Sequence, residues 1–240
     1  MHKYSSRILR GDRESVMQDI KDSILNEEKH VLVTANSEIF VNASESKDLE
    51  TLLLDENTNI VIDGIAALAA FKKMKLQNIT KIPGIEIVQE LLLFANEKAL
   101  KIAIIGGSKE SSKNIENYIK NELSNVDLVG VSDGYIKEKN QVMESFSKLK
   151  PDIILVALGV PAQEQLIKES FSTFSKGLFI GCGGSLDVIG GTKRRAPKFF
   201  RVTSTEWLYR IIREPQRTGR FFRTNIKFFK LSKLDDIDNV

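Results

Sequence analysis

Residues 101–134 read KIAIIGGSKESSKNIENYIKNELSNVDLVGVSDG, and this stretch decides the fold. An apolar run rich in isoleucine (101–107) ends in two glycines. A segment with a charged face follows and opens on Ser108, a residue suited to cap a helix N-terminus. A second apolar run (126–134) closes the unit, again on a glycine. Strand, helix, strand, with both strands largely apolar, is the unit of a parallel sheet. The same grammar extends outward in both directions. HVLVTAN (30–36), NIVID (59–63), DIILVALG (152–159) and GLFIGCGG (177–184) are short, mostly rich in Val and Ile, and end in Gly, Asn or Asp. Helical segments fit between them at 14–28, 141–149 and 162–171. The expected fold class is therefore α/β: a Rossmann-like parallel sheet with helices on both faces, plus a basic helical C-terminal appendage. Ligands of such sheets sit outside the carboxyl ends of the strands, so every strand-end loop is a site candidate.

Composition narrows the classes. The chain has 240 residues, 42% hydrophobic and 28% charged, as an ordinary globular protein does. No apolar run approaches the ~20 residues that span a bilayer. The N-terminus lacks the apolar core of a signal peptide. A single cysteine, Cys182, excludes an internal disulfide, and between glycines it reads as a small buried residue. His2 and His30 are the only histidines. That argues against a His-based metal site or a Ser-His-Asp triad.

After Gly191 the pattern changes, and a boundary near 192 divides an α/β body (1–192) from an appendage (193–240). Residues 193–233 hold thirteen Lys and Arg against two acids, a local charge of +11 in a chain of net +3. Eight aromatics are threaded through it, including the pairs Phe199-Phe200, Phe221-Phe222 and Phe228-Phe229. Such asymmetry calls for an anionic partner. Paired Phe beside Arg suits a membrane interface better than a duplex groove, because rings bury in acyl chains while cations stay with headgroups. The alternative is a solvated basic helix whose aromatics face the core. Two neighbours on a helix cannot both face one narrow stripe, which favours the membrane reading.

Several loops carry chemistry-bearing residues. Gly106 and Gly107, before Ser108, read equally as a tight turn or as a phosphate contact at a helix N-terminus. They lack the third glycine of the dinucleotide fingerprint and the lysine of a P-loop. Asp63 stands at a strand tip beside a glycine, as a helix cap or as a general base. Thr34 and Asn36, ending the first strand, have hydrogen-bonding groups for a sugar. Gln163 and Glu164 open a helix after a strand. Gln163 has the groups to read a base or ribose, and Glu164 reads equally as a complement to the helix dipole. A second glycine-rich loop holds Gly184, Ser185 and Asp187. Two such loops on one sheet point to a nucleotide with phosphates.

In order, VTANSEI, VIDGIA, PGIEIV, VGVSDGY, ILVALGVPAQEQLI, GCGGSLDVIGGTKRRAP and EWLYRIIREPQR resemble the WecG/TagA/CpsF glycosyltransferase family, from about residue 31 to about 230. The resemblance implies transfer of a hexose or N-acetylhexosamine, N-acetylmannosamine foremost, from a UDP-sugar to an undecaprenyl-diphosphate-linked sugar in cell-wall or capsule polysaccharide synthesis. It implies no metal and no cofactor. By position it makes Asp63 the base, puts Thr34 and Asn36 near the transferred sugar or acceptor, and puts Gln163 and Glu164 near the nucleotide sugar. Gly134 and Tyr135 fall in its VGVSDGY block, as substrate-binding candidates. Arg210, Arg213 and Arg217 fall on the arginines thought to hold the diphosphate. Where many relatives carry an arginine ahead of the proline-glycine stretch, this chain has Lys81, which keeps the charge but loses bidentate geometry.

The expectation is a metal-independent, inverting glycosyltransferase, cytoplasmic and peripheral on the inner face of the cell membrane, binding an anionic membrane surface through its appendage. Nucleic acid is not expected as a partner, and a homo-oligomer remains open. Two rivals stand beside it: a nucleotide-binding oxidoreductase on the same sheet, and a non-catalytic module that binds membrane or RNA through the basic tail.

Overall fold

Six parallel strands carry the body of the protein, five of them largely buried and one, at an edge of the sheet, part-exposed. The structure, a computed structural model, describes residues 1–203 and 205–237; the side chains at 210, 217 and 234–237 lie outside the described residues. In chain order the elements are α1 (Arg13–Leu25), β1 (Lys29–Ala35), α2 (Ser37–Glu45), α3 (Lys47–Leu54), β2 (Thr58–Ile62), α4 (Ile65–Lys73) and α5 (Gly84–Lys98). Then come β3 (Lys101–Gly106), α6 (Lys109–Glu122), β4 (Asp127–Ser132), α7 (Lys139–Lys148), β5 (Ile153–Ala157), α8 (Ala162–Ser170) and β6 (Gly177–Gly181). The chain ends with α9 (Ser185–Ile189), α10 (Lys198–Val202), α11 (Glu206–Arg213) and α12 (Thr218–Ile237).

The strand order is β2-β1-β6-β5-β3-β4, and every pairing is parallel. All residues of β5 and β6 are buried, as helices on both faces require. The two-residue period of a strand divides the core. Val31, Val33 and Ala35 pack on the side of α2, α3, α4, α7 and α8. Leu32 packs with α1, α5 and α6 on the other. The doubly wound α/β sheet expected from the alternating runs is the one observed.

Capping chemistry sets several helix starts. Asp12 Oδ1 accepts the Ser15 N–H (2.8 Å), and Ser108 Oγ accepts the Ser111 N–H (3.0 Å). The sequence reading left residues 37–58 and 64–98 largely unassigned, and four helices fill them. In α2 the buried residues Ile39, Phe40, Val41 and Ala43 run nearly unbroken, so no helical stripe shows in the sequence.

The connections explain where a ligand fits. β3 leads through α6 outward to β4, whereas β5 leads through α8 the opposite way to β6, and α6 and α8 cover opposite faces. The ends of β3 and β5 therefore diverge and leave a crevice.

The C-terminal segment is partly core, which corrects the reading of its paired aromatics. Phe228 is fully buried, with its ring centroid 6.2 Å from that of Phe40, and Phe40 in turn packs on Phe71 at 5.4 Å. One helical step separates Phe228 from Phe229, so α12 buries the first on α2 and leaves the second 54% exposed. Phe199 and Phe222 are also exposed. Polar contacts pin the same helix: Arg220 to Glu38, Lys227 to Glu45, and Ser37 Oγ donating to Asn225 Oδ1 at 3.1 Å.

Candidate functional site

Two clusters form along the carboxyl edge of the sheet. At the β2–β1 end, Asp63 directly follows β2, and its N–H donates to the Ala35 carbonyl (2.9 Å). This bond extends the strand pairing by one residue and fixes the aspartate backbone at the tip. Asn36 lies on the neighbouring loop. A Cβ on Gly64 would stand 3.1 Å from Asn36 Cβ, so the glycine lets the two loops touch. The Asn36 side chain has a structural task that the sequence did not reveal. Its Oδ1 accepts the N–H groups of Glu38 (2.8 Å) and Ile39 (3.2 Å), capping α2. Thr34 Oγ1 donates to the Gly181 carbonyl at 3.4 Å. Gly84, the first residue of α5, approaches so closely that a Cβ there would lie 2.9 Å from Thr34 Oγ1. The structure thus brings Asp63, Thr34 and Asn36 together.

The second cluster lines a cleft of ≈ 490 Å³ where β3 and β5 diverge, walled by Gly107, Ser108, Gly134, Tyr135 and Asp187 among others. Gly106 is obligatory there. Its φ is +129°, and a Cβ would meet the Ala157 carbonyl oxygen at 2.3 Å. The Gly134 N–H donates to the Gly107 carbonyl (2.9 Å), tying two loops together. The Tyr135 ring is 77% exposed at the rim. Asp187 Oδ1 accepts the Ser111 hydroxyl at 2.6 Å, and its Oδ2 pairs with Lys193 Nζ at 2.9 Å. Thr192 Oγ1 donates to the Asp187 carbonyl at 2.9 Å. Ser111, Thr192 and Lys193 were not singled out in the sequence. Ser111 shows there only as a helical residue three places after a cap, and Lys193 only as one cation of many. Gly184 and Ser185 sit at the start of the short α9, beside this cleft.

Gln163 and Glu164 lie between the clusters and are 4% and 3% exposed. Gln163 Oε1 accepts the N–H groups of Gly159 (3.2 Å) and Gly183 (3.0 Å), joining the loops after β5 and β6. Its Nε2 donates to Glu164 Oε1 at 2.7 Å. Burial raises the Glu164 pKa, opposed by the Gln163 hydrogen bond and reinforced by Glu38. Burial likewise pushes the Cys182 thiol up to about 12, so it is an inert packed residue, as its glycine neighbours suggested.

Of the three appendage arginines, Arg213 is exposed and its Nε donates to the Tyr209 hydroxyl at 3.3 Å. The side chains of Arg210 and Arg217 lie outside the described residues. Ion pairs near these arginines hold the segment to the body. Arg195 bridges Glu86 of α5 (2.7 Å) and Glu206 of α11 (3.7 Å). Arg220 of α12 reaches Glu38, two residues after Asn36. The appendage therefore docks on the edge of the sheet that holds Asp63.

A doubly wound sheet with divided polar clusters along one edge defines an α/β enzyme class. The chain belongs to the glycosyl transferase WecG/TagA/CpsF family, whose sequence model matches residues 2–235, and it is a glycosyltransferase. It is similar to the N-acetylglucosaminyldiphosphoundecaprenol N-acetyl-beta-D-mannosaminyltransferase of Bacillus subtilis (strain 168), with 34% identity over 190 residues, 79% of this chain and 74% of that protein. It is also similar to the protein of the same name from Staphylococcus aureus (strain MRSA252), with 32% identity over 221 residues, 91% of this chain and 86% of that protein.

Proposed function

We propose that this glycosyltransferase moves N-acetylmannosamine from a UDP-sugar to an undecaprenyl-diphosphate-linked N-acetylglucosamine at the inner face of the cell membrane. The observation that carries the reading is the spacing of the two clusters. The β3–β5 cleft and the tip of β2 are three to four strands apart, roughly 14–19 Å at about 4.8 Å per strand. That is the reach of an extended nucleoside diphosphate sugar. The nucleotide end belongs in the glycine-walled cleft and the sugar near Thr34 and Asp63. The names of the relatives supply the sugar and the acceptor.

Asp63 takes the proton of the acceptor hydroxyl as that oxygen attacks the anomeric carbon. The bond to the UDP oxygen breaks on the opposite face, so the configuration inverts. The leaving diphosphate needs stabilisation of its developing charge. With no Asp-x-Asp pair at a strand end, Arg210, Arg213, Arg217 and backbone N–H groups of the cleft are assigned that role. Exposed aromatics and cations of the appendage hold the enzyme against anionic headgroups, where its acceptor resides.

The test is a donor screen with a short-chain lipid-diphosphate N-acetylglucosamine acceptor. UDP release and product are expected with UDP-N-acetylmannosamine, and both should persist in EDTA. Transfer of another hexose alone would refute the donor, and loss in EDTA with recovery in Mn²⁺ would refute the metal-independent step.

A further inference from the structure

Glu164 is a charged residue type in an apolar setting. It is 3% exposed, and none of the ion pairs among the described residues involves it. An isolated carboxylate in such a place is costly, and the usual resolution is to take up a proton. Its two oxygens differ. Oε1 accepts from Gln163 Nε2 at 2.7 Å, while Oε2 is fully buried and has no hydrogen-bond partner. A neutral acid here would use Oε1 as its carbonyl oxygen and carry its proton on Oε2.

The Gln163 amide would otherwise be free to turn over, exchanging its oxygen for its nitrogen. Held by Glu164 Oε1, it must present its oxygen to the N–H groups of Gly159 and Gly183. The turned-over amide would aim a donor at two donors. Gly181 makes room for the arrangement, since a Cβ there would lie 2.5 Å from Gln163 Nε2. The Gly181 carbonyl is in turn the acceptor for Thr34. One short chain of contacts thus runs from Glu164 through the loops after β5 and β6 to the sugar end of the site.

We propose that Glu164 is a positioning residue, a neutral buried carboxylic acid that orients the Gln163 amide and so clamps the Gly159 and Gly183 loops in the form that receives the donor. The inference rests on the transferase reading above and adds to it the element that rigidifies the middle of the site.

The experiment compares Glu164→Ala and Glu164→Gln in the full chain. Alanine leaves the Gln163 amide without its guide. The donor KM is expected to rise about tenfold, with a smaller change in kcat. Glutamine reproduces a neutral group with one acceptor and one donor, and it should restore the donor KM to within about threefold of the parent. Amide hydrogen exchange at Gly159 and Gly183 reads the clamp without any reaction: faster in the alanine variant, slowed again in the glutamine variant. If glutamine fails as badly as alanine in both measurements, the neutral-acid assignment is wrong. If alanine leaves both the exchange and the donor KM unchanged, there is no clamp. Should the alanine variant not fold, Gly181→Ala displaces Gln163 by contact and must show the same rise in KM and in exchange, or the proposal falls. Absence of transfer by the parent chain would count against the transferase reading alone, because the exchange measurements stand without it.

Discussion

Asp63 shows how much one residue position owes to its neighbours. Its N–H is held by the Ala35 carbonyl, and Gly64 lets its loop lie against Asn36. Asp63→Asn keeps this backbone geometry and removes the carboxylate base. Asp63→Asn is therefore expected to lower kcat by about 10²–10⁴, the usual contribution of general-base catalysis. UDP binding, measured by calorimetry, should hardly change, because the cleft lies several strands away. Turnover close to the parent's would remove Asp63 from the mechanism. The sequence exposed this residue because a strand tip followed by glycine is a local pattern. It concealed the tasks of Asn36 and Gln163. Asn36 caps a helix whose start the sequence did not mark, and Gln163 is buried only because Gly181, eighteen residues on, leaves it room. Side chains that serve tertiary contacts look the same in sequence as side chains that meet a ligand.

At the scale of elements, the long α12 does two jobs on two faces. Phe228 completes a ring cluster with Phe40, while Tyr4 and Phe71 pack on Phe40 from other sides. Phe229 projects outward. Phe228→Ala opens a cavity in packed core and is expected to cost about 3–5 kcal/mol of stability, read as a fall in the denaturation midpoint. Phe229→Ala should cost well under half as much. Equal effects would mean that α12 does not dock on α2 as described. The consequence extends to truncation. Removing residues 193–240 would uncover Phe40, so a destabilised body is expected rather than an intact one. The strands were legible because buried parallel strands are largely apolar, and β4, part-exposed at the sheet edge, still carries Leu128, Val129 and Val131. Of the helices left unassigned, α2 buries a nearly unbroken run and shows no stripe, whereas α3, α4 and α5 bury residues at helical spacing (Leu49, Leu52 and Leu53; Ala67, Ala70 and Phe71; Val88, Leu91, Leu92 and Ala95) and were legible in principle.

At the scale of the whole molecule, strand order was invisible in the sequence. Parallel pairing is fixed by crossovers and by packing of distant helices, and no local signal states it. Yet that order decides the site, for it places the divergence of β3 and β5 at one end of a line and Asp63 near the other. The appendage docks on the Asp63 end, through Arg220 and Glu38. Phe199, Phe222 and Phe229 stand exposed on it at 72%, 53% and 54%. No helix among the described residues is long and apolar enough to cross a membrane; the attachment proposed for this segment would rest on burial of rings together with attraction of cations. The two contributions respond differently to conditions. Changing Phe199, Phe222 and Phe229 together to Ser removes ring burial and leaves every cation. Partition onto anionic vesicles should fall at least about tenfold. The residual binding should be largely abolished by raising salt, because screening acts on the cations alone. A circular dichroism melt matching the parent's would establish that the fold is retained, as three exposed positions lead one to expect. Partition that is unchanged in the triple variant, at low and high salt alike, would show that the exposed rings do not meet the membrane. The bound acceptor would then have to come to the enzyme by contacts at the sheet edge itself.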